Sequence, residues 1–500
     1  MSKPPSLLRN PISLLGIVLA SVSTACGLPM MFADMLSRRT NPYLGVVVYL
    51  VLPFAAAGGI SITLLGVAWE RQRRARRPGV TIPPLPTIDL NRPAHQLVLI
   101  GGITTIMTIV VLLSITGYRA YHFTESTQFC GLVCHQVMKP EHTAYQYSPH
   151  ARVTCTQCHV GPGAGWFVRS KLSGLYQVYA VASRTYPRPI PTPVKSLRPA
   201  QEACEQCHWP AKFFGAQQKT FTHYLADEAN SPWQIHMLLK IGGGDPSVGA
   251  PAGIHWHMNI KNDISYIASD DQRETIPWVR VMDPQGRVTE YMSTENPLSP
   301  EQIAKAPLRR MDCVDCHNRP SHVFRPPDRA VEEAFETGRL DRTLPYLKRE
   351  AMRLLAHAYD SEAQAQTAIL KGLAAFYQTT YPDLSREKGV AIQQATAELQ
   401  RIYARNFFPE MRADWRVHPN HIGHLNADGC FRCHDGLHKS RNGKTITKDC
   451  TACHTILGQG PPEAVAAAKL EAQPFQHPVD VGMDVTEFKC SQCHTGTSGL

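Results

Sequence analysis

At 500 residues the chain could hold about three or four ordinary domains, but 15 Cys, 22 His and 39 Pro do not suit one evenly built enzyme. Fourteen of the 15 cysteines fall in seven paired clusters that each end in Cys-His, which excludes a free-thiol cytosolic protein and argues against a disulfide framework. A formal charge of +10 would point to an acidic partner only if no anionic group binds the chain.

Three apolar stretches open the sequence: Ile12 to Phe32, Tyr43 to Trp69 and Gln96 to Tyr118. Each is about long enough to cross a hydrocarbon core as a helix, and none contains a charged residue. Pro53, Gly58 and Gly59 in the second are tolerable, because both residue types are common in membrane helices. The first stretch also reads as a cleaved signal peptide, and SVSTAC before Cys26 is similar to a lipoprotein cleavage site with Ser23 where Leu is normal. Two spans survive either cleavage. Arg71, Arg73, Arg74, Arg76, Arg77 and Arg92 follow the second stretch, against Arg38 and Arg39 in the loop before it. Since basic loops stay on the cytoplasmic side, the N-terminus is expected inside and everything after Tyr118 outside. The expected location is a bacterial inner membrane, multi-pass, with the remainder periplasmic.

The clusters follow the third span. They are CGLVCH (Cys130, Cys134, His135), CTQCH (Cys155, Cys158, His159), CEQCH (Cys204, Cys207, His208) and CVDCH (Cys313, Cys316, His317). Then come CFRCH (Cys430, Cys433, His434), CTACH (Cys450, Cys453, His454) and CSQCH (Cys490, Cys493, His494). Six have the C-x-x-C-H spacing of c-type haem attachment. Two thiols at that spacing reach the two vinyl groups of one porphyrin, and the adjacent His is delivered beneath the iron as an axial ligand. Zinc uses the same Cys spacing but does not demand the trailing His. Seven covalent haems, with two propionates each, would turn the net charge to about −4 with ferrous iron, so nucleic acid is not an expected partner.

The first cluster has one extra residue between its cysteines, and Met138 follows it as a candidate axial ligand alongside an ordinary apolar role. Histidines exceed the need for second axial ligands. The candidates are His150, His223, His257, His322, His424, His438 and His477, from segments that include GIHWH (with His255), CHNRPSH and HPNHIGH (with His418 and His421). His357 lies in a helical pattern and is expected to pack.

Between the clusters, ISYIAS and IPWVRVMDPQGRVTEYM read as strands, with DPQG as a hairpin turn. From about Pro327 to Tyr403 apolar residues recur every three or four positions, the pattern of packed helices. The expected fold is a membrane-anchored multihaem protein: three N-terminal transmembrane helices, then a mostly α and irregular haem-packed region with a small β-containing insert and a helical spacer. Its segments are expected at 1–120 (membrane), 121–208 (sites 1 to 3), 209–326 (β-containing, site 4), 327–410 (helical spacer) and 411–500 (three sites).

A membrane anchor followed by TQFCGLVCHQVMKPEHTAYQYSPHARVTCTQCHVG and WFVRSKLSGLYQVY resembles the NapC/NirT family of membrane-anchored quinol dehydrogenases over roughly residues 96 to 210. The remainder, including CHNRPSH and the run from HPNHIGH to CSQCH, resembles the larger seven-haem inner-membrane cytochromes of metal-reducing bacteria. The chain departs from the family's single anchor, four haems and first-motif spacing, and has no Asp or Glu between His159 and Glu202. The resemblance implies electrons taken from menaquinol or a related quinol and passed to periplasmic c-type cytochromes in anaerobic or extracellular respiration. Quinol oxidation releases two protons, and His122, Glu125, Glu141, His142 and Lys171 are the candidate acceptors near the first site. Two other readings stay open: an electron-conduit subunit of a larger membrane complex without its own quinol site, and a multihaem terminal reductase.

Overall fold

The computed structural model describes residues 6–36, 42–77, 89–194, 197–243, 253–259, 262–467 and 471–497. Arg38, Arg39 and the middle of the Arg-rich loop lie outside the described residues. The chain divides into two units, one of residues 1–138 with 154–156 and one of 139–153 with 157–500.

In the first unit three helices are long and apolar enough to cross a membrane. They are α1 (Pro11–Leu36), α2 (Leu52–Ala75), which continues a helical run from Pro42, and α3 (Pro93–Thr124). Just before Pro53 the run widens into a π turn over Val47–Val51; proline lacks the N–H that an α-turn would donate back. Small residues let α1 and α2 approach closely. A Cβ on Gly16 would fall 2.5 Å from the Gly59 carbonyl, and one on Gly59 would fall 2.6 Å from the Ala20 nitrogen. Asn10 and Ser13 donate across the same contact to the carbonyls of Gly66 and Thr63, at 3.2 and 3.1 Å. No side chain described in α3 is buried, and its apolar surface on all sides is that of a membrane span.

Beyond the spans come helices α4 (His135–Gln146) and α5 (Ala164–Ala182). The second unit then builds two antiparallel sheets. A three-stranded sheet runs β1 (Gln217–Tyr224), β2 (Pro232–Leu239), β8 (His454–Gly460). The other has five strands in the order β6 (Arg309–Arg310), β3 (Asp263–Ile267), β4 (Trp278–Met282), β5 (Val288–Ser293), β7 (His438–Ser440). Strands β4 and β5 are joined by the DPQG turn, where Asp283 accepts the backbone N–H groups of Gln285 and Arg287 and Gly286 takes a φ of 75°. Ile264, Tyr266, Ile276 and Val279 form the sheet's core, and Cys433 of the fifth site packs against it. Strands from the last quarter of the chain thus complete sheets begun between sites 3 and 4.

The periodic segment folds as α6 (Pro327–Glu336), α7 (Leu347–Ala356), α8 (Glu362–Thr380) and α9 (Gly389–Asn406). Ala365, Ile369, Leu373 and Tyr377 lie at four-residue intervals on α8 and are fully buried, one apolar stripe on a helix packed against α7 and α9, where Leu347, Leu355 and Leu399 are also fully buried. Burial of each Leu or Ile contributes about 1.5–3 kcal/mol. His357 ends α7 with its ring 4.8 Å from that of Tyr359.

One buried ionic cluster ties α6 and α7 to β1. Glu332, 4% exposed, accepts from Lys348 at 2.8 Å, from Arg329 at 3.1 Å and from His223 at 3.2 Å. Burial pushes the Glu332 carboxyl up, but His223 and Lys348 more than offset it and hold the group at about 2. Because this lies below the ordinary 4.5, the stabilisation is fully present above about pH 4.5 and is lost as pH falls toward 2. Lys348→Met is expected to cost about 3 kcal/mol at pH 7, the low end for a broken buried pair because His223 and Arg329 remain. It should also flatten the loss of stability between pH 4.5 and 2, as read by circular dichroism in denaturant series.

Candidate functional site

The attachment motifs fold as single tight turns. The histidine N–H donates to the carbonyl of the first cysteine at 2.9 Å in site 3, 2.8 Å in site 4, 3.0 Å in site 5 and 2.8 Å in site 7. Positions i, i+3 and i+4 of one helical turn share a face, so both thiols and the imidazole are presented together. Asp312 and Asp449 cap the turns of sites 4 and 6 by accepting from Val314 and Thr451. The first motif's extra residue is taken up in a π turn over Phe129–Val133. His135 starts α4, its side chain outside the described ones; Met138 is half-buried and donates its N–H to the Cys134 carbonyl at 2.9 Å.

Each of the other six motif histidines faces one further histidine. The ring centroids lie 6.2 Å apart for His159 and His322, 6.1 Å for His208 and His150, and 6.5 Å for His317 and His255. They lie 5.8 Å apart for His434 and His257, 6.1 Å for His454 and His424, and 5.9 Å for His494 and His477. Two imidazoles on one ion at metal–nitrogen distances of about 2 Å hold their centroids roughly 6 Å apart. The residues present therefore fit a haem iron at each pair.

Hydrogen bonds orient these rings. The Nδ1 atoms of His150, His255, His257, His322 and His477 donate to the carbonyls of Pro320, Ile241, Ile254, Glu141 and Val479, at 3.2, 2.6, 2.8, 3.0 and 2.7 Å. A carbonyl only accepts, so Nδ1 carries the proton and Nε2 keeps its lone pair for a metal. His255 and His257 come from one 3₁₀ turn, Ile254–Met258, and face the motif histidines of neighbouring sites 4 and 5. That turn lies on the end of β2, where Gly253 takes a φ of 132° and a Cβ would fall 2.5 Å from the Lys240 carbonyl.

Two expected candidates pair with no motif histidine among the described ring contacts. His438 is buried, with Nδ1 on Asp435 at 2.9 Å and Nε2 on the Ile276 carbonyl at 2.7 Å; burial lowers its pKa but Asp435 raises it further, so a doubly donating cation is favoured. His223 gives Nδ1 to Glu332. His421 likewise spends both nitrogens, on the Asp315 carbonyl and Glu274. His255, named only within its segment and not among the chosen ligands, takes the place facing His317. No sequence signal separated it from His257, two residues on.

Successive sites adjoin in chain order. The thiols of Cys130 and Cys155 are close neighbours, as are those of Cys204 and Cys313. Cys158 lies within electrostatic reach of Cys204, Cys316 of Cys430, Cys430 of Cys453 and Cys450 of Cys490.

The expected proton acceptors fall in both units. In the first, His122 packs edge-on against Tyr118 and Tyr121, and the Glu125 carbonyl accepts from Thr156. In the second, Glu141 is ion-paired with Arg319 at 3.1 Å and lies 3.3 Å from His322. His142 stacks on Tyr145, its pKa lowered by burial, and the Lys171 ammonium sits 4.7 Å from the Phe167 ring.

Three membrane-length helices and repeated Cys-Cys-His turns facing second histidines define a membrane-anchored multihaem c-type cytochrome. The chain belongs to the NapC/NirT cytochrome c family, whose N-terminal-region model matches residues 92–189. It is 45% identical to the cytochrome c-type protein ImcH of Geobacter sulfurreducens over 496 residues, 99% of this chain and 96% of that one. No solved structure matches. Family membership implies covalently bound haem.

Proposed function

We propose that the chain oxidises menaquinol at the outer face of a bacterial inner membrane and passes the electrons, through seven haems, to periplasmic carriers. The observation that carries this reading is the set of six histidine pairs, with five of the second histidines bonded through Nδ1 so that Nε2 keeps its lone pair for a metal. Such pairs would hold a haem iron on both sides, which would suit electron transfer and not substrate binding at iron, and so disfavours a terminal reductase. Each haem, once attached, supplies a one-electron store whose potential follows its axial ligands and burial. At the first site the axial ligand is assigned to Met138, which would set its potential above that of the bis-histidine sites.

Quinol oxidation delivers two electrons singly and releases two protons. His122 and Glu125, at the end of α3, are the groups assigned to receive those protons. Glu141 orients Arg319 and His322 instead. With the Arg-rich end of α2 read as cytoplasmic, α3's C-terminal end and the first site are taken to face the outer side.

Anaerobic mixing of the oxidised, detergent-solubilised protein with a menaquinol analogue tests the reading. Rapid reduction of the haem bands, slowed by Glu125→Gln or His122→Phe, is the expected result. No reduction with all seven haems present would instead make the chain a conduit fed by another subunit.

A further inference from the structure

We infer that the surface around the seventh attachment site is a docking face for a small soluble electron carrier whose exposed cofactor edge is ringed by lysines. The inference rests on the proposed electron-transfer function and adds where the electron leaves and the charge of the partner that takes it.

The face is built from the loop between β8 and the last motif. His477 faces His494, and the Phe475 ring lies 6.4 Å from that of His477. Phe475, Val479, Met483 and Phe488 are 42%, 36%, 57% and 43% exposed. The loop is fastened to β8, since Gln459 donates to the Pro474 carbonyl at 2.5 Å and accepts from the Gln476 N–H at 3.0 Å. Four large apolar side chains are therefore exposed along the loop that leads to the last attachment motif.

The rim is acidic in a chain of net charge +10. Glu471, Asp480, Asp484 and Glu487 are all exposed. Asp480 accepts from the Gly482 N–H at 2.8 Å, and Asp484 from Thr486 N–H and Oγ1 at 2.9 and 2.7 Å, so both carboxylates are fixed in direction. Of the neighbouring cations, Lys489 is ion-paired with Asp428 at 2.7 Å and Lys448 donates to the Thr486 carbonyl at 3.0 Å. Exposed apolar and acidic side chains interleaved on one loop have the composition of a protein interface with a charged rim. Like charges on two copies of this face oppose self-pairing, whereas a lysine-ringed partner is drawn in at long range. In each encounter one electron passes from the reduced seventh site to the oxidised carrier, which ends reduced by one, and no bond or proton changes hands.

The test measures binding of the full haem-loaded chain in lipid nanodiscs to a lysine-rich monohaem cytochrome c, and to the same cytochrome with its lysines acetylated. The expected result is binding of the unmodified probe that weakens about tenfold between roughly 20 and 200 mM salt and is lost on acetylation. The combined variant Asp480→Lys, Asp484→Lys, Glu487→Lys should weaken binding about tenfold or more at low salt. Met483→Ser with Phe488→Ser should weaken it at every salt concentration. Haem content measured on each variant verifies that it is assembled. Equal binding of both probes, or unchanged binding by the charge-reversed chain, overturns the inference. Because binding is read without quinol, failure of quinol oxidation would be a separate result.

Discussion

His255→Ala is expected to convert one low-spin haem of the proposed seven into a high-spin one, while His223→Ala and His438→Phe leave all seven low-spin. His255 faces His317 with its ring plane 2° from parallel, and the Ile241 carbonyl fixes its proton on Nδ1. Removing it leaves His317 as the one imidazole at that iron, and the fifth site keeps its own pair, His257 and His434. The electron paramagnetic resonance spectrum of the oxidised protein reads this as a new high-spin signal of about one in seven. His255→Met should instead keep the site low-spin and raise its potential, as His/Met ligation does. A high-spin signal from His438→Phe, or none from His255→Ala, would sink the assignment. His438 has both ring nitrogens spent on Asp435 and Ile276, so its loss should appear in stability and not in the spin state.

Asp315→Ala should cost about 3–5 kcal/mol, the effect of removing one side of a buried charged pair. The residue is 3% exposed and sits between the two cysteines of site 4. Its carboxylate accepts from Tyr266 at 2.6 Å, Arg309 at 2.7 Å, Arg273 at 2.9 Å and the Asp312 N–H at 2.7 Å. Its own carbonyl accepts from Arg432 of the fifth motif at 2.6 Å. One carboxylate therefore pins the CVDCH turn to β3 and β6 while its backbone joins it to CFRCH. Without it, Arg273 and the buried Tyr266 phenol lose this acceptor, and Arg309 keeps only Asp312. The loss should appear as a lower denaturant midpoint, with sites 4 and 5 disturbed together in the haem spectrum. Asp315→Asn keeps an acceptor oxygen and should cost less than Asp315→Ala. Equal stability of wild type and Asp315→Ala would show that this network holds nothing.

Local spacing made much of this protein legible. Three uncharged apolar runs foretold the membrane-length helices, DPQG foretold the turn between β4 and β5, and the four-residue stripe ending at Tyr377 foretold α8. Strands β1, β2 and β8 were not foreseen: QQKTFTHY and PWQIHMLL lack clean alternation, and β2 gains its second neighbour from His454–Gly460, far along the chain. Asp315 was equally silent, since within CVDCH it occupies a position that the attachment chemistry leaves free.

The attachment half of the six C-x-x-C-H sites follows from residues within a single turn, because i, i+3 and i+4 must share a helix face. The facing half does not. His150 reaches His208 past the second site, and His322 reaches back from beyond the fourth to His159. His255 and His257 divide between two sites though they share one turn. Which imidazole meets which motif depends on sheet register, on the seat that Gly253 allows against Lys240, and on carbonyls that orient each Nδ1. Those are contacts between residues distant along the chain, and only the folded protein brings them together.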